Sequence, residues 1–271
     1  MSFLGAGVGY RHVHRDALLA EGGARPDVLE VMPDHFFADP DRIAPLAERY
    51  PIIFHDVGMS LATAGDASFS RARLQRIAAL AAGAKPVLFG EHLALTRSPS
   101  GIELGHLAPL WLTHELLDLV ADRVRAIQDA LGIPVVLENI AAPFLVPHGD
   151  LSEAAFFARL VERTGCGLLL DLTNLLYTAR NHGLDEHRLL REYPLDAVMQ
   201  VHLAGGFVDR DIWIDSHSEP VEDAAYALLG ELRRAVPALR TIIVERDDKL
   251  GTLNDLVAEA TRAARVWKEN D

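Results

Sequence analysis

Cysteine is almost absent from this sequence, because Cys166 is the only one among 271 residues. A single cysteine excludes an internal disulfide, and this scarcity is typical of proteins that fold in a reducing compartment. We therefore expect a cytoplasmic protein. Cys166 directly precedes an apolar run that predicts a strand, and this position favours a packing role over a nucleophilic one.

Long apolar runs and a basic N-terminal segment are also missing. No apolar stretch approaches about 18 residues, the length that indicates a transmembrane helix. The first ten residues lack the basic start of a secretory signal peptide, since Arg11 follows the apolar residues instead of preceding them. We therefore expect neither a signal peptide nor a membrane partner.

Basic residues are in deficit, with 26 Lys and Arg against 39 Asp and Glu and a net charge of −13. Proteins that bind a nucleic acid duplex normally present a basic surface, so this balance disfavours nucleic acid as the main partner. Hydrophobic residues make up 49% of the chain, which is enough for a substantial core in one large domain or two small ones.

The most informative stretch is a short apolar run, Gly167-Leu-Leu-Leu-Asp171, which Asn174 follows three residues later. Three leucines in a row are too short for a free-standing helix and predict a buried strand. A carboxylate at the end of a buried strand is costly unless hydrogen bonds or a cation compensate it. Asp171 is therefore either the cap of a following helix or a metal ligand, and the residue alone does not decide.

Eight strand-like runs alternate with helical patterns, and a polar loop is predicted after Asn174. The runs cover 3–9, 27–31, 51–56, 85–92, 133–139, 167–171, 196–202 and 239–245. Such alternation implies a parallel sheet covered by helices, and eight units are the count of a (β/α)8 TIM barrel. A doubly wound open sheet is the alternative, but it would concentrate polar residues at one switch point. Since no linker interrupts the chain, we expect one TIM-barrel domain over residues 1–271.

Residues of metal-ligand type stand at the ends of six predicted strands: His55, His92, Glu138, Asp171, His202 and Glu245. The carboxyl ends of barrel strands meet on one face, so these six side chains are expected to converge. A hydrogen-bonded core role explains any one of them, but six equivalent positions would require repeated coincidence. Three carboxylates at close range repel unless cations neutralise them, and three imidazoles favour transition metals over magnesium or calcium. The sequence therefore predicts a multinuclear metal site.

Other polar residues are assigned less directly. Asp215 and His217, in the loop after the seventh strand, point to the same side if that segment is extended, and they can complete a third metal position. Glu30 and Glu91 are either partners that orient ligand histidines or ordinary salt-bridge members. Substrate contacts are predicted at Asn139, Asn181 and His182, although turn chemistry equally explains the last two. The remaining histidines are interpreted as surface or packing residues: His12, His14, His35, His106, His114, His148 and His187.

Eight segments together resemble the multinuclear non-heme iron-dependent oxidative enzymes, the family of the methanobactin-forming iron enzyme. They are LEVMPDHF (29–36), FHDVGMSL (54–61), GEHLAL (90–95), VLENIAAPF (136–144), TGCGLLLDLTN (164–174), NHG (181–183), VHLAGG (201–206) and IDSHSEPV (214–221). These segments run through most of the chain. The wider superfamily, with a xylose isomerase-like TIM barrel, includes metal-dependent apurinic endonucleases and sugar isomerases.

The resemblance implies a ligand set. His55 and His92 resemble ligands of one iron, and Glu138 resembles a carboxylate that bridges it to a second. The ligands of the second iron would be Asp171, His202 and Glu245, and those of a third would be Asn174, Asp215 and His217. A neutral amide binds transition metals more weakly than imidazole does, so Asn174 favours weak or partial occupancy of the third position. The residues expected to be catalytic are Glu138, His92 and Asp171.

The function that the resemblance implies is an O2-using oxidase or oxygenase with two to three irons, including a mixed-valence Fe(II)/Fe(III) pair. Its substrate would be a short ribosomally made precursor peptide, commonly modified at cysteine and in some members at another side chain or the C-terminal residue. A separate partner protein that binds the leader peptide is also expected, because the chain shows no appended peptide-binding domain.

Two other classes of function use the same barrel. One is a divalent-metal hydrolase resembling apurinic endonucleases, or a sugar isomerase, with zinc, manganese or magnesium. The acidic net charge argues against the endonuclease, and the additional set of Asn174, Asp215 and His217 argues against the isomerase. The other class is a non-catalytic barrel that binds a peptide, which the intact ligand set disfavours. Fold analogy alone would separate none of these.

Overall fold

The computed structural model describes residues 2–65 and 69–268, and within them eight parallel strands close into a barrel. In chain order the strands are β1 (Gly5–Gly9), β2 (Leu29–Val31), β3 (Ile52–Asp56), β4 (Phe89–His92), β5 (Leu95–Arg97), β6 (Glu103–Ala108), β7 (Val135–Glu138), β8 (Gly167–Asp171), β9 (Val198–Leu203), β10 (Phe207–Asp209), β11 (Ile212–Ile214) and β12 (Thr241–Val244). The barrel order is β1-β2-β3-β4-β7-β8-β9-β12, and β12 pairs in parallel with β1. This closure confirms the predicted TIM barrel and excludes the open doubly wound sheet.

Helices follow the barrel strands and cover them. They are α1 (Arg15–Leu19), α2 (Ala44–Ala47), α3 (Arg71–Ala84), α4 (His114–Leu131), α5 (Glu153–Thr164), α6 (Leu172–His182), α7 (Glu186–Glu192), α8 (Asp223–Leu232) and α9 (Leu253–Lys268). Short side chains cap several of them, as Ser152 does for α5 by accepting a hydrogen bond from the Ala155 backbone N–H. No helix in the described ranges combines the length and the apolar character needed to cross a bilayer.

The segment after Asn174 is not the predicted polar loop, because it belongs to α6. The Asp171 carboxylate caps this helix by accepting a hydrogen bond of 2.7 Å from the Asn174 backbone N–H. The side chains of Leu175, Leu176 and Tyr177 in this helix are buried. The helix ends at Gly183, whose positive φ of 62° suits glycine. The polar residues interleaved with these apolar ones obscured the helical pattern in the sequence.

Two hairpins, β5–β6 and β10–β11, extend from the loops after β4 and β9. Neither hairpin is among the eight strand-like runs predicted from the sequence. β10 and β11 have only three residues each, and much of their surface is exposed, so they lack the alternation of buried and exposed residues that identifies a strand.

Alternation along the strands explains why the predicted ligands face the barrel axis. A small buried cluster contains Val28, Ile53, Leu88, Val136, Leu169 and Ile243, whereas Leu168 and Leu170 belong to a larger cluster that also includes helix residues. Because successive strand residues point to opposite faces, the small cluster is the barrel interior. His55, Glu138, Asp171 and Glu245 each follow an interior residue by two positions. They therefore form the next layer towards the mouth.

Candidate metal centre

Glu138 lies between three imidazoles at the carboxyl end of β7. Its Oε2 is 3.1 Å from His55 Nε2 and 3.0 Å from His92 Nε2, and its Oε1 is 3.1 Å from His202 Nδ1. Although two ring nitrogens lie this close to Oε2, that oxygen has no hydrogen-bond partner of acceptable geometry among the described residues. A buried carboxylate oxygen in this position could bind a cation together with the neighbouring imidazoles.

Neighbouring backbone leaves room for the imidazoles. Gly90 pairs with His55 in the β3–β4 ladder. A Cβ atom on Gly90 would lie 2.7 Å from His55 Nδ1, closer than real Cβ contacts allow. Glycine at this position therefore lets the His55 ring approach β4 closely.

His202 has carboxylates on both sides of its ring. Its Nε2 is 3.1 Å from Glu30 Oε2, and its Nδ1 is 3.0 Å from Glu245 Oε2 on the side that also faces Glu138. Gln200 donates a further hydrogen bond to Glu30. Gln200 Nε2 also lies 2.8 Å from His202 Nε2. Carboxylates on both sides of the ring favour either an imidazolium with two N–H donors or a proton on Nε2 with a metal ion on Nδ1. Glu30 therefore orients His202, which is one of the two roles that the sequence left open.

Glu91, the other glutamate left open, does not orient an imidazole in this way. Its Oε2 accepts a hydrogen bond from the Met59 backbone N–H at 3.0 Å, and its Oε1 accepts one from the His92 backbone N–H at 2.9 Å. Its carboxylate lies 3.9 Å from the nearer ring nitrogen of His92. Glu91 instead holds the loop after β3 against the end of β4.

The protonation of the centre reflects its crowded charges. Burial lowers the pKa of His202, but Glu245, Glu30 and Glu138 outweigh it and raise that pKa well above the ordinary value. Burial and the neighbouring carboxylates Asp215 and Glu138 raise the pKa of Asp171 well above its ordinary range. The three imidazoles, led by His92, overcome burial and hold the pKa of Glu138 well below its ordinary range. Protons thus supply the positive charge in the metal-free protein, and bound metal ions would displace them.

A second group of candidate ligands lies in the loop after β11. His217 Nε2 lies 3.0 Å from Asp215 Oδ1, and its Nδ1 lies 3.7 Å from Glu245 Oε2, which links this group to the barrel ligands. Asn174, in the first turn of α6, donates a side-chain hydrogen bond of 3.0 Å to the Asn139 carbonyl.

The unpartnered atoms fit metal ions. Besides Glu138 Oε2, three buried oxygens of the predicted ligand set have no hydrogen-bond partner of acceptable geometry among the described residues, namely Asp171 Oδ2, Asn174 Oδ1 and Asp215 Oδ1. Ligand atoms of Glu138, Asp171, His202 and Glu245 all lie within 4.8 Å of one another, as do those of His55, Glu138 and His202. Imidazole and carboxylate donors so arranged suit transition metals. Asp171 is both a helix cap, through Oδ1, and a candidate ligand, through Oδ2.

A cavity of about 530 Å³ opens above these residues. Seven of the nine predicted ligands line it: His55, His92, Glu138, Asn174, Asp215, His217 and Glu245. Asp171 and His202 lie beneath, with no exposed surface. The outer wall is largely apolar and includes Leu107 on β6, Ile140 after β7 and Trp213 on β11. The structure therefore brings all nine predicted ligands to one side of a single cavity.

Residues 5–268 match the family described as RiPP precursor modification enzyme MbnB/TglH/ChrH, where RiPP denotes a ribosomally made and post-translationally modified peptide. The chain belongs to this family. Membership implies that the protein is an enzyme acting on a precursor peptide.

Relatives of this family member match over nearly its whole length. A UPF0276 protein of Caulobacter vibrioides is 34% identical over 269 residues, covering 98% of this chain and 95% of that protein. A UPF0276 protein of Chromobacterium violaceum is 35% identical over 266 residues, covering 96% of this chain and 94% of that protein.

Solved structures support the fold of this RiPP-modifying family member. A D-psicose 3-epimerase crystallised in the presence of D-fructose has a TM-score of 0.60 at 13% identity and covers 96% of both chains. A xylose isomerase domain protein from Planctomyces limnophilus has a TM-score of 0.56 at 15% identity and covers 99% of this chain and 96% of that one. At these identities the likeness concerns the fold, which is the xylose isomerase-like TIM barrel.

The three residues predicted as substrate contacts bond to backbone groups. Asn139 bonds to both the N–H and the carbonyl of Asp171, at 2.8 and 3.0 Å. Asn181 bonds to the backbone of Trp213, and His182 bonds to the carbonyl of Ala142. None of the three is among the described residues that line the cavity.

Two charged residues outside the predicted set, Arg11 and Asp247, also line the cavity. Arg11 forms an ion pair with Asp247, and Asp247 Oδ2 lies 3.1 Å from His217 Nδ1. Arg11 stands two residues after β1, and Asp247 stands two residues after Glu245. Both positions follow the carboxyl ends of barrel strands closely, and this placement was the signal that could have identified them.

Proposed function

We propose that this protein is a multinuclear non-heme iron enzyme that uses O2 to oxidise a ribosomally made precursor peptide. The observation that carries the proposal is the cluster of imidazole and carboxylate donors whose buried atoms lack other partners. Imidazoles in such numbers favour a transition metal, and the family is one of peptide-modifying enzymes.

Within this proposal the metal ligands follow the grouping expected from the sequence. His55 and His92 would hold one iron, and Glu138 would be shared between that iron and the next. Asp171, His202 and Glu245 would hold the second, and Asn174, Asp215 and His217 would hold the third. When bound, two or three irons, including an Fe(II)/Fe(III) pair, would supply the redox chemistry and the activation of O2.

The protein's own residues provide a shielded reaction space. Glu30 and Glu138 hold the His202 ring between them, so that a metal ion finds Nδ1 already oriented. The candidate ligands at the ends of the barrel strands are buried, which excludes water from their donor atoms. The apolar outer wall of the cavity around Trp213 would surround a substrate side chain.

We infer that the oxidised side chain belongs to the peptide and is most readily a cysteine. The chain's own Cys166 is buried at the start of β8, whereas the candidate ligands stand at the other end of the strands. We further propose that the activity resides in one domain over residues 1–271, acts in the cytoplasm, and requires a separate protein that binds the leader peptide.

The experiment is to co-produce the chain with the short peptides encoded beside its gene, and with any adjacent partner, and to record peptide masses. We expect a mass change that requires iron and O2 and is absent in the His92→Ala variant. Purified wild-type protein produced with iron at low oxygen should contain two to three irons per chain.

Other outcomes would assign a different function. A mass change that persists without oxygen in purified protein would refute the oxidase. So would tightly bound zinc or manganese without iron, or cleavage of abasic DNA, because these properties belong to the hydrolase or isomerase alternatives.

A further inference from the structure

Helix α6 joins the metal centre to both walls of the cavity. Its first turn carries Asn174 and is capped by Asp171, so it begins among the candidate ligands. Its last turns carry Thr178, Asn181 and His182, whose side chains bond to backbone groups of the loops on either side. One rigid element therefore positions ligands at one end and the flanking loops at the other.

The first of these contacts joins Asn181 to β11. The Asn181 side chain donates a hydrogen bond of 3.0 Å from Nδ2 to the Trp213 carbonyl and accepts one of 2.8 Å at Oδ1 from the Trp213 N–H. This pair satisfies both backbone groups of Trp213, as a neighbouring strand would. β11 bonds to β10 on its other side, so Asn181 takes the place of a third strand.

Two further contacts hold the same hairpin. The Arg180 guanidinium lies 4.1 Å from the centroid of the Trp213 ring, and the Tyr177 ring lies 5.2 Å from it. The Tyr177 hydroxyl accepts a hydrogen bond of 2.8 Å from the Gly206 N–H, immediately before β10. Both ends of the hairpin are thus attached to α6.

On its other side, α6 bonds to the loop after β7. Thr178 Oγ1 accepts a hydrogen bond of 2.9 Å from the Ala142 N–H, and His182 Nε2 lies 2.9 Å from the Ala142 carbonyl, to which it can donate. The adjacent residues Ala141 and Pro143 line the cavity. This loop follows Glu138, but the barrel ladders already fix that ligand on β7.

Asp215 differs from the barrel ligands because no barrel strand carries it. It lies two residues after Trp213, so its position depends on how β11 is held. On the far side, His217 has a positive φ of 50°, and its carbonyl accepts a hydrogen bond of 2.8 Å from the Asp247 N–H. The segment from Trp213 to His217 is therefore attached at both ends, by Asn181 and by Asp247.

We propose that Asn181 is a positioning residue for the third metal position, because it holds β11 where Asp215 can face His217 and Asn174. His182 likewise holds the loop after β7 on the opposite side of the cavity, but that loop carries no candidate metal ligand. This inference rests on the proposed function only in that the centre binds metal ions.

The test is a titration of the metal-free Asn181→Ala variant with Mn(II), compared with His182→Ala as the matched control. Isothermal calorimetry gives the number and affinity of bound ions, hydrogen exchange reports on residues 207–214 and 140–143, and urea unfolding reports on global stability. We expect Asn181→Ala to weaken the weakest-bound ion about tenfold, because ligand-orienting contacts typically contribute 10- to 100-fold in metal affinity. The tighter ions should be unchanged, and exchange should accelerate only at 207–214. His182→Ala should accelerate exchange at 140–143 and leave metal binding unchanged.

Several results would overturn the inference. One is faster exchange at 207–214 in Asn181→Ala with the weakest-bound ion unaffected, and another is equal weakening of every ion. Equal effects of the two variants on the weakest-bound ion would also contradict it. If Asn181→Ala does not fold, Asn181→Asp keeps the acceptor for the Trp213 N–H but loses the donor to the Trp213 carbonyl, and it should also weaken the same ion; unchanged binding there refutes the role. Wild-type protein that binds no metal would instead refute the proposed function.

Discussion

Glu30 offers a direct test of how the protein prepares His202 for a metal. Replacing Glu30 by glutamine keeps the size of the side chain and removes its negative charge. Glu30 Oε2 lies 3.1 Å from His202 Nε2, and both side chains are buried. The substitution therefore changes the charge next to Nε2 while leaving the candidate ligand nitrogen, Nδ1, in place.

The expected size of the effect follows from this contact. A carboxylate that accepts a hydrogen bond from a ligand histidine makes the ring a better donor to metal and fixes its tautomer. Removing such a partner weakens metal binding about 10- to 100-fold, which corresponds to about 1.4–2.7 kcal/mol. In the metal-free protein burial lowers the pKa of His202, whereas the nearby carboxylates raise it. Glu245 has the largest raising effect and Glu30 the next largest. We therefore expect Glu30→Gln to lower that pKa.

The assay is calorimetric titration of the metal-free protein with Co(II), together with an NMR titration of the His202 ring. Glu103→Gln is a suitable control, because Glu103 is an exposed residue of β6 that pairs with Arg97. Affinity unchanged within about twofold, or the same loss in the control, would show that Glu30 does not prepare His202. An unchanged pKa of His202 would contradict the charge argument independently.

The remaining predictions concern the rest of the centre. Glu138→Ala should abolish the coupled pair of irons rather than one ion, because Glu138 contacts His55, His92 and His202; full iron content with an unchanged Mössbauer spectrum would contradict this. Asn174→Ala should reduce iron content by less than one ion per chain, since a neutral amide contributes less than a carboxylate or imidazole, and elemental analysis checks this. The metal-free protein should become less stable to urea as the pH rises from about 6 to about 9. Carboxylates outweigh burial and raise the folded-state pKa values of His55, His92 and His202. Their stabilising contribution is therefore complete below the unfolded value of 6.5 and is lost as the pH rises from there through the raised folded-state values. Metal affinity should change in the opposite direction over the same range, because metal ions displace those protons; parallel trends would refute the argument.

The barrel and the convergence of the candidate ligands could be predicted from the sequence because their signals are local. Apolar runs of strand length, each ended by a polar residue, mark the strands, and the alternation of side chains directs those terminal residues to one mouth. Leu169 and Asp171 illustrate this, since a leucine that faces the barrel axis places the carboxylate two residues later on the same face. Closure of β12 onto β1 then confirmed the barrel.

Only the tertiary structure decided which polar groups pair with one another. Glu30 and His202 are 172 residues apart, and Asn181 and Trp213 are 32 apart, so neither contact leaves a local pattern. The same holds for the backbone of Trp213, whose free hydrogen-bonding groups become visible only when α6 lies beside it. Residue type and spacing therefore determined which side chains reach the mouth. Folding determined which of them are placed as candidate metal ligands, which orient a neighbour and which hold a cavity wall, because those roles depend on the partner that each polar atom meets.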